Sequence, residues 1–278
     1  MSDFGEFSEF TVGSVMGRAW RVMWQKPLAF FGITLLSSVL SFVVAALLGT
    51  AIKMLLASFN MPIGAPVGVA FVGFVSFLFV STIFQGALTY AVFLILLHGE
   101  VSIGEAFKGF GGRAFSFISS TLAMAVVLGL LLIQPVIIAV QTDASYGSRI
   151  ILAVIVMIVA GVFFLITFIM WFVFVPACLI EKRRPKDSLR RGSELAEGYY
   201  GKIFGVFFPI WIVVFIFFII ARLIANKIFG VGIFGNIFTA VVGAVPLTYY
   251  NVLPTVVYYS LRVVKENLTP DSLADIFD

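Results

Sequence analysis

The chain has 278 residues, of which 61% are apolar and only 12% are charged. Soluble domains run at roughly 45–50% apolar and about 25% charged, so the composition excludes an ordinary water-soluble enzyme. A single cysteine and a single histidine exclude intrachain disulfides, cysteine-based metal clusters and His-pair chemistry.

The first 26 residues carry three acids and three bases. No charged segment there leads directly into an apolar core, so the pattern is not that of a cleaved signal peptide. Within this stretch, Thr11–Trp24 places Val12, Val15, Met16, Ala19 and Met23 on one helical face, with Arg18 and Arg21 off it. That is the period of an amphipathic helix lying in a membrane interface. Lys26 and Lys53 then bracket 26 uncharged residues. Further uncharged runs cover Val67–Leu97, Ala114–Thr142, Ile150–Ile180, Ile203–Ala221 and Ile228–Leu261. Each matches or exceeds the ~20 residues that cross a bilayer as a helix.

The expected fold is therefore all-α, a polytopic membrane protein with six transmembrane helices. The predicted spans are 28–52, 70–96, 115–140, 150–180, 203–225 and 237–261. Nothing alternates with the period of a barrel strand. Residues 228–236 hold Gly230, Gly232 and Gly235 and read as a loop before the sixth helix. Pro176, Pro209, Pro246 and Pro254 are expected to kink their helices. The whole chain, 1–278, reads as one transmembrane domain, with an amphipathic segment at 1–26 and a tail at 262–278. Thr269 and Pro270 are suited to start a short helix in that tail.

Amphipathic segments recur before the odd-numbered spans. Ser102–Phe110 sets Ile103, Ala106, Phe107 and Phe110 against Glu105 and Lys108. Asp187–Tyr199 sets Leu189 and Leu195 among Arg190, Arg191 and Glu194. Three units result, each an elbow helix followed by a transmembrane hairpin. Basic residues fix the sidedness. Fourteen lie on the side of the termini and elbows, against Lys53, Arg149, Arg222 and Lys227 on the other. Both termini are thus expected in the cytoplasm.

All 14 acids lie outside the predicted spans. Ion-coupled pumps and intramembrane hydrolases need an ionisable group at depth, and no acid of this chain is placed there. His98 stands at an expected membrane edge, and Cys178 reads as a small buried apolar residue. The expectation is a non-enzymatic protein with no cofactor, no metal and no nucleic-acid partner. The polar groups at depth are neutral. Gln85, Gln134 and Asn251 either bond across helices or line a lipid-sized cavity. Ser37, Ser41, Ala45 and Gly49 recur every four residues, a spacing that lets helices approach closely. Packing inside one subunit is the first reading of that stripe, and a homo-oligomer or a membrane-protein partner is the alternative. The densest charge is Lys182, Arg183, Arg184, Lys186, Arg190 and Arg191, the candidate contact for anionic lipid headgroups.

Three segments carry a family resemblance. Phe10-Thr-Val-Gly-Ser-Val-Met-Gly-Arg-Ala-Trp-Arg-Val with Pro27-Leu-Ala-Phe resembles the opening of the YciC-like family of bacterial inner-membrane proteins. Phe174-Val-Pro-Ala-Cys-Leu-Ile-Glu with Asp187-Ser-Leu-Arg-Arg-Gly-Ser-Glu-Leu is similar to its second signature. Val257-Tyr-Tyr-Ser-Leu-Arg-Val-Val-Lys-Glu with Leu273-Ala-Asp-Ile-Phe-Asp is similar to its third. That family is in turn similar to the membrane domain attached to some glycerophosphodiester phosphodiesterases. The resemblance implies a six-helix inner-membrane protein linked to lipids or envelope maintenance, with no catalytic residues to carry over. The functional expectation is a protein that binds or organises lipids or scaffolds a membrane complex. The alternative is a transporter or flippase of a lipid-like substrate.

Overall fold

The computed structural model describes residues 10–58, 65–98, 102–112, 114–115, 117–119, 121, 146–181, 185–230 and 232–266. Helix is the only regular structure among them. We number the helices α1 (Val12–Gln25), α2 (Pro27–Ser58), α3 (Ala65–His98), α4 (Ile103–Gly111), α5 (Tyr146–Ile180), α6 (Pro185–Ala196), α7 (Tyr200–Phe229) and α8 (Ile233–Glu266).

Four of these are long and apolar enough to cross a membrane: α2, α3 over Val75–Leu97, α7, and α8 over Phe234–Glu266. Helix α5 is 35 residues long, and Val154–Phe163 is its described apolar stretch. The expected third span at 115–140 falls largely outside the described residues, as does the expected tail helix. The loop expected at 228–236 is much shorter than the sequence suggested. Helix α7 runs to Phe229 and α8 begins at Ile233. Pro176, Pro209, Pro246 and Pro254 all sit within continuous helices.

The three expected elbows are helices α1, α4 and α6. Their starts are set by local chemistry. Thr11 opens α1 with a capping box, in which its hydroxyl accepts from the Ser14 amide at 3.3 Å and its own amide donates to Ser14 Oγ at 3.4 Å. The Ser102 amide donates to Glu105 Oε2 at 3.2 Å at the head of α4. Pro27 stands at the first position of α2, where its missing N–H costs nothing. Only Lys26 separates α1 from α2, so the elbow turns directly into the membrane helix.

Helix α8 is the hub, packing against α1, α2, α3, α5, α6 and α7. Every residue from Val252 to Val263 is buried. The main core gathers there from the N-terminal halves of α2 and α7, the C-terminal halves of α3 and α5, and the elbows α1, α4 and α6. In that core Phe172 stacks on Phe207 with ring centroids 3.6 Å apart and meets Tyr250 edge-on. Elbow α4 interlocks with α3, because Phe110 lies on Gly86 and Tyr90 lies on Gly109, with no room for a side chain at either glycine. Away from this end the helices show apolar side chains outward. Leu47 on α2, Val159 on α5 and Ile228 on α7 are each more than 60% exposed. Continuous apolar surface of this extent belongs in lipid, since in water it would drive aggregation.

Candidate functional site: a neutral polar cavity beside a buried charge network

On α2, Thr34, Ser37, Ser38 and Ser41 fall at i, i+3, i+4 and i+7, and so share one face. On α3, Ser81 and Gln85 are one turn apart, and on α8 so are Leu247 and Asn251. The three faces converge on a half-enclosed cavity of about 160 Å³, whose apolar walls are Ile33, Phe77, Phe84, Leu88 and Leu247. Gln85 and Asn251 therefore share one cavity, while Gln134 lies outside the described residues. The small-residue stripe reads differently in three dimensions. Ser37 and Ser41 face this space, although helices α2 and α3 pack extensively around it.

The lining hydroxyls divide into two groups. Ser38 donates to the Thr34 carbonyl at 3.0 Å and Ser81 to the Leu78 carbonyl at 3.1 Å, each satisfied within its own helix. Thr34 and Ser41 are 2% and 0% exposed, and neither hydroxyl has a hydrogen-bond partner among the described residues. No protein hydrogen bond satisfies the side-chain amides of Gln85 or Asn251 among the described residues, and both line the open space. A buried hydroxyl left unpaired costs about 1–3 kcal/mol. Both oxygens are shielded from the open space, so the polar groups that the wall presents to a hydrogen-bonding guest are the amides of Gln85 and Asn251. All of these groups are neutral, so the wall cannot compensate a full charge.

The second polar feature closes the elbow end of the bundle. Glu181, just past α5, accepts from Tyr258 OH at 2.8 Å and from Arg191 Nε at 3.0 and 3.2 Å. Arg191 also pairs with Glu266. Arg262 reaches Glu266 at 2.8 Å and Glu181 at 3.9 Å. The four side chains expose 7–23% of their surface, and their charges balance. They tie the end of α5, elbow α6 and the end of α8 together. Nearby, Lys265 donates to the Glu194 carbonyl at 2.5 Å and Lys202 to the Phe10 carbonyl at 3.1 Å.

Two sequence expectations change here. Arg191 belongs to the candidate headgroup set, but its guanidinium faces two carboxylates inside the protein. Among the rest of that set, Lys186 is exposed. The Arg190 side chain is 79% exposed and pairs with Glu194 one turn on. Lys182, Arg183 and Arg184 lie outside the described residues. Arg18 was expected off the apolar face of α1. It is instead buried on that face with Val15, Ala19, Val22 and Met23, and donates to Ser260 Oγ at 3.1 Å. Burial, reinforced by nearby Arg21, holds its pKa below the ordinary arginine value, while Tyr259 opposes the shift. Its position at i+3 from Val15 and i−4 from Val22 was the available signal. Tyr249 OH donates to the Met16 carbonyl at 2.9 Å and seals the same seam.

Cys178 is buried in a satellite cluster with Phe110, Phe117, Phe174, Val175 and Leu179. The side chain of His98 lies outside the described residues. No protein-family model, curated protein or solved structure matches the chain.

Proposed function

We propose that this is a multi-pass protein of the bacterial inner membrane that binds and organises lipids without catalysing a reaction. The observation that carries the reading is the cavity among α2, α3 and α8, where the amides of Gln85 and Asn251 face open space between membrane-length helices. Six crossings are supported by chain direction. Elbow α4 packs on the C-terminal half of α3, and α5 brings its own C-terminus to that same core. The 35-residue α5 therefore starts from the end opposite to α4 and runs back to it. Cytoplasmic termini are supported by the concentration of bases at the elbow end. The resemblance to the YciC-like family is part of the same proposal.

The bases of the elbow region, Lys182, Arg183, Arg184, Lys186 and Arg190, would hold anionic headgroups, each contributing about 1 kcal/mol near a charged leaflet. Arg191 drops out of that set because its charge is internally balanced. Native mass spectrometry from anionic nanodiscs tests this. Neutralising the five should reduce retained phosphatidylglycerol, and equal retention by wild type and variant would remove headgroup binding from the proposal.

A passive flippase of lipid-like molecules is the second reading. It is favoured by the cavity being half-enclosed rather than sealed. Transbilayer movement of fluorescent lipid in proteoliposomes at no more than the empty-vesicle rate would reject it.

A further inference from the structure

The wall of the cavity restricts the chemistry of its guest. This deepens the lipid-binding reading and rests on it. Among the described residues, twelve side chains line the space and none is ionisable. A phosphate or ammonium enclosed there would lose its hydration without gaining a counter-charge, which a low-dielectric interior penalises heavily. The basic side chains that would suit a phosphate are elsewhere, at the elbow end. The groups offered are two primary amides, Gln85 and Asn251, each with two donors and an acceptor, while the unpaired Thr34 and Ser41 oxygens are shielded from the space. Hydroxyls and ester carbonyls complement that set. Phe77, Phe84, Leu88 and Leu247 add apolar walls along which methylenes can run. The volume, about 160 Å³, holds on the order of ten water-sized groups. A glycerol unit with its two ester groups is of that size.

We infer that the cavity among α2, α3 and α8 binds the uncharged glycerol–ester region of an acylglycerol lipid, held by Gln85 and Asn251. The hydroxyl of the lipid meets the amide carbonyls of Gln85 and Asn251. Its ester carbonyls take the protons of the amides. Anionic phospholipids engage the elbow bases instead and are poor guests here.

The test uses the full chain in nanodiscs and a photoactivatable dioleoylglycerol, with labelled peptides mapped by mass spectrometry. Competitors are unlabelled dioleoylglycerol, dioleoylphosphatidic acid and a long-chain isoprenoid alcohol. Label is expected on the α2, α3 and α8 segments that line the cavity, and dioleoylglycerol should compete at least tenfold better than phosphatidic acid. Gln85→Leu, and separately Asn251→Leu, should reduce that labelling at least fivefold. Each variant removes only an amide that faces the cavity, so its thermal midpoint should not fall, and if one does fall the other provides the same test from a different helix. Equal competition by phosphatidic acid would overturn the uncharged-guest inference while leaving lipid binding intact. Equal competition by the isoprenoid alcohol would remove the ester contacts from it. Labelling unchanged in every variant would mean that the cavity is not the site. If no lipid protects any segment, the cavity holds water alone, and its support for the proposed function is lost with the inference.

Discussion

The buried charge network makes a quantitative prediction. Replacing Glu181 by Gln keeps the shape and an acceptor for Tyr258, but leaves Arg191 and Arg262 facing one carboxylate, Glu266, which is itself 23% exposed. Removing one partner of a fully buried pair costs about 3–5 kcal/mol. The remaining carboxylate and the 18% exposure of Arg191 lower that to roughly 2–3 kcal/mol for Glu181→Gln. For a chain of this length the thermal midpoint should drop by roughly 3–5 °C. Arg190→Gln, at a side chain 79% exposed in an i,i+4 pair, should cost no more than about 0.5 kcal/mol. The protein supplies its own reporter, since Cys178 is the single cysteine and is buried. A maleimide dye that fluoresces on thiol addition will report its exposure as detergent-solubilised protein is heated. The double variant Glu181→Gln/Arg191→Gln should be less destabilised than the sum of its singles, with a coupling of about 1–3 kcal/mol. A Glu181→Gln midpoint indistinguishable from that of Arg190→Gln would refute the reasoning, because the network would then hold nothing together.

Two further predictions read the backbone. A Cβ at Gly86 would stand 2.2 Å from the Phe110 ring, so Gly86→Ala should destabilise by about 1–3 kcal/mol in the same dye assay, and Phe110→Leu should restore part of the loss. Gly32→Ala, where nothing lies within 4 Å, should leave the midpoint unchanged or raise it slightly. Gly230 has φ 71° and ψ −174°, a conformation open in practice only to glycine, so Gly230→Ala should cost about 1–3 kcal/mol through backbone strain alone. An unchanged midpoint would show that the α7–α8 turn tolerates another geometry.

The membrane helices and elbows were legible because both follow from local pattern. An uncharged run of bilayer length has few other uses, and a stripe at helical spacing beside bases marks an interface. The boundaries were less legible. Helix α2 continues past Lys53 to Ser58, since a lysine stem can follow the apolar surface while its ammonium reaches water. The glycines at 230–235 read as a loop, yet Gly235 is already helical. Its missing side chain serves close approach, since a Cβ there would come within 2.9 Å of the Gly230 carbonyl oxygen. Gln85 and Asn251 could be nominated as cavity residues from their polarity at depth. Thr34, Ser38 and Ser81 could not, because a membrane helix readily satisfies a hydroxyl with its own carbonyl, and nothing in the sequence tells a satisfied hydroxyl from an orphaned one. The Glu181–Arg191–Glu266–Arg262 network was the least legible, because its members come from three elements and meet only when α8 docks.

The two polar features also explain each other's position. Ionised groups in a lipid environment need counter-charges within reach, and the elbow end supplies them where α5, α6 and α8 finish near water. A balanced network there fixes the relative positions of helix ends and leaves deeper polar positions free of charge. The deeper positions can then be neutral and incompletely satisfied, as Thr34 and Ser41 are. A cavity of that kind would be unstable as an empty space between loosely held helices, since α2 could close onto α3 and α8 and pair the hydroxyls internally. With α8 pinned at its buried half and α1 joined to α2 through the single residue Lys26, such a collapse would have to break the Arg18–Ser260 and Tyr249–Met16 contacts as well. The rigid, charged end is thus the physical reason that a neutral, unpaired cavity can persist further along the same helices.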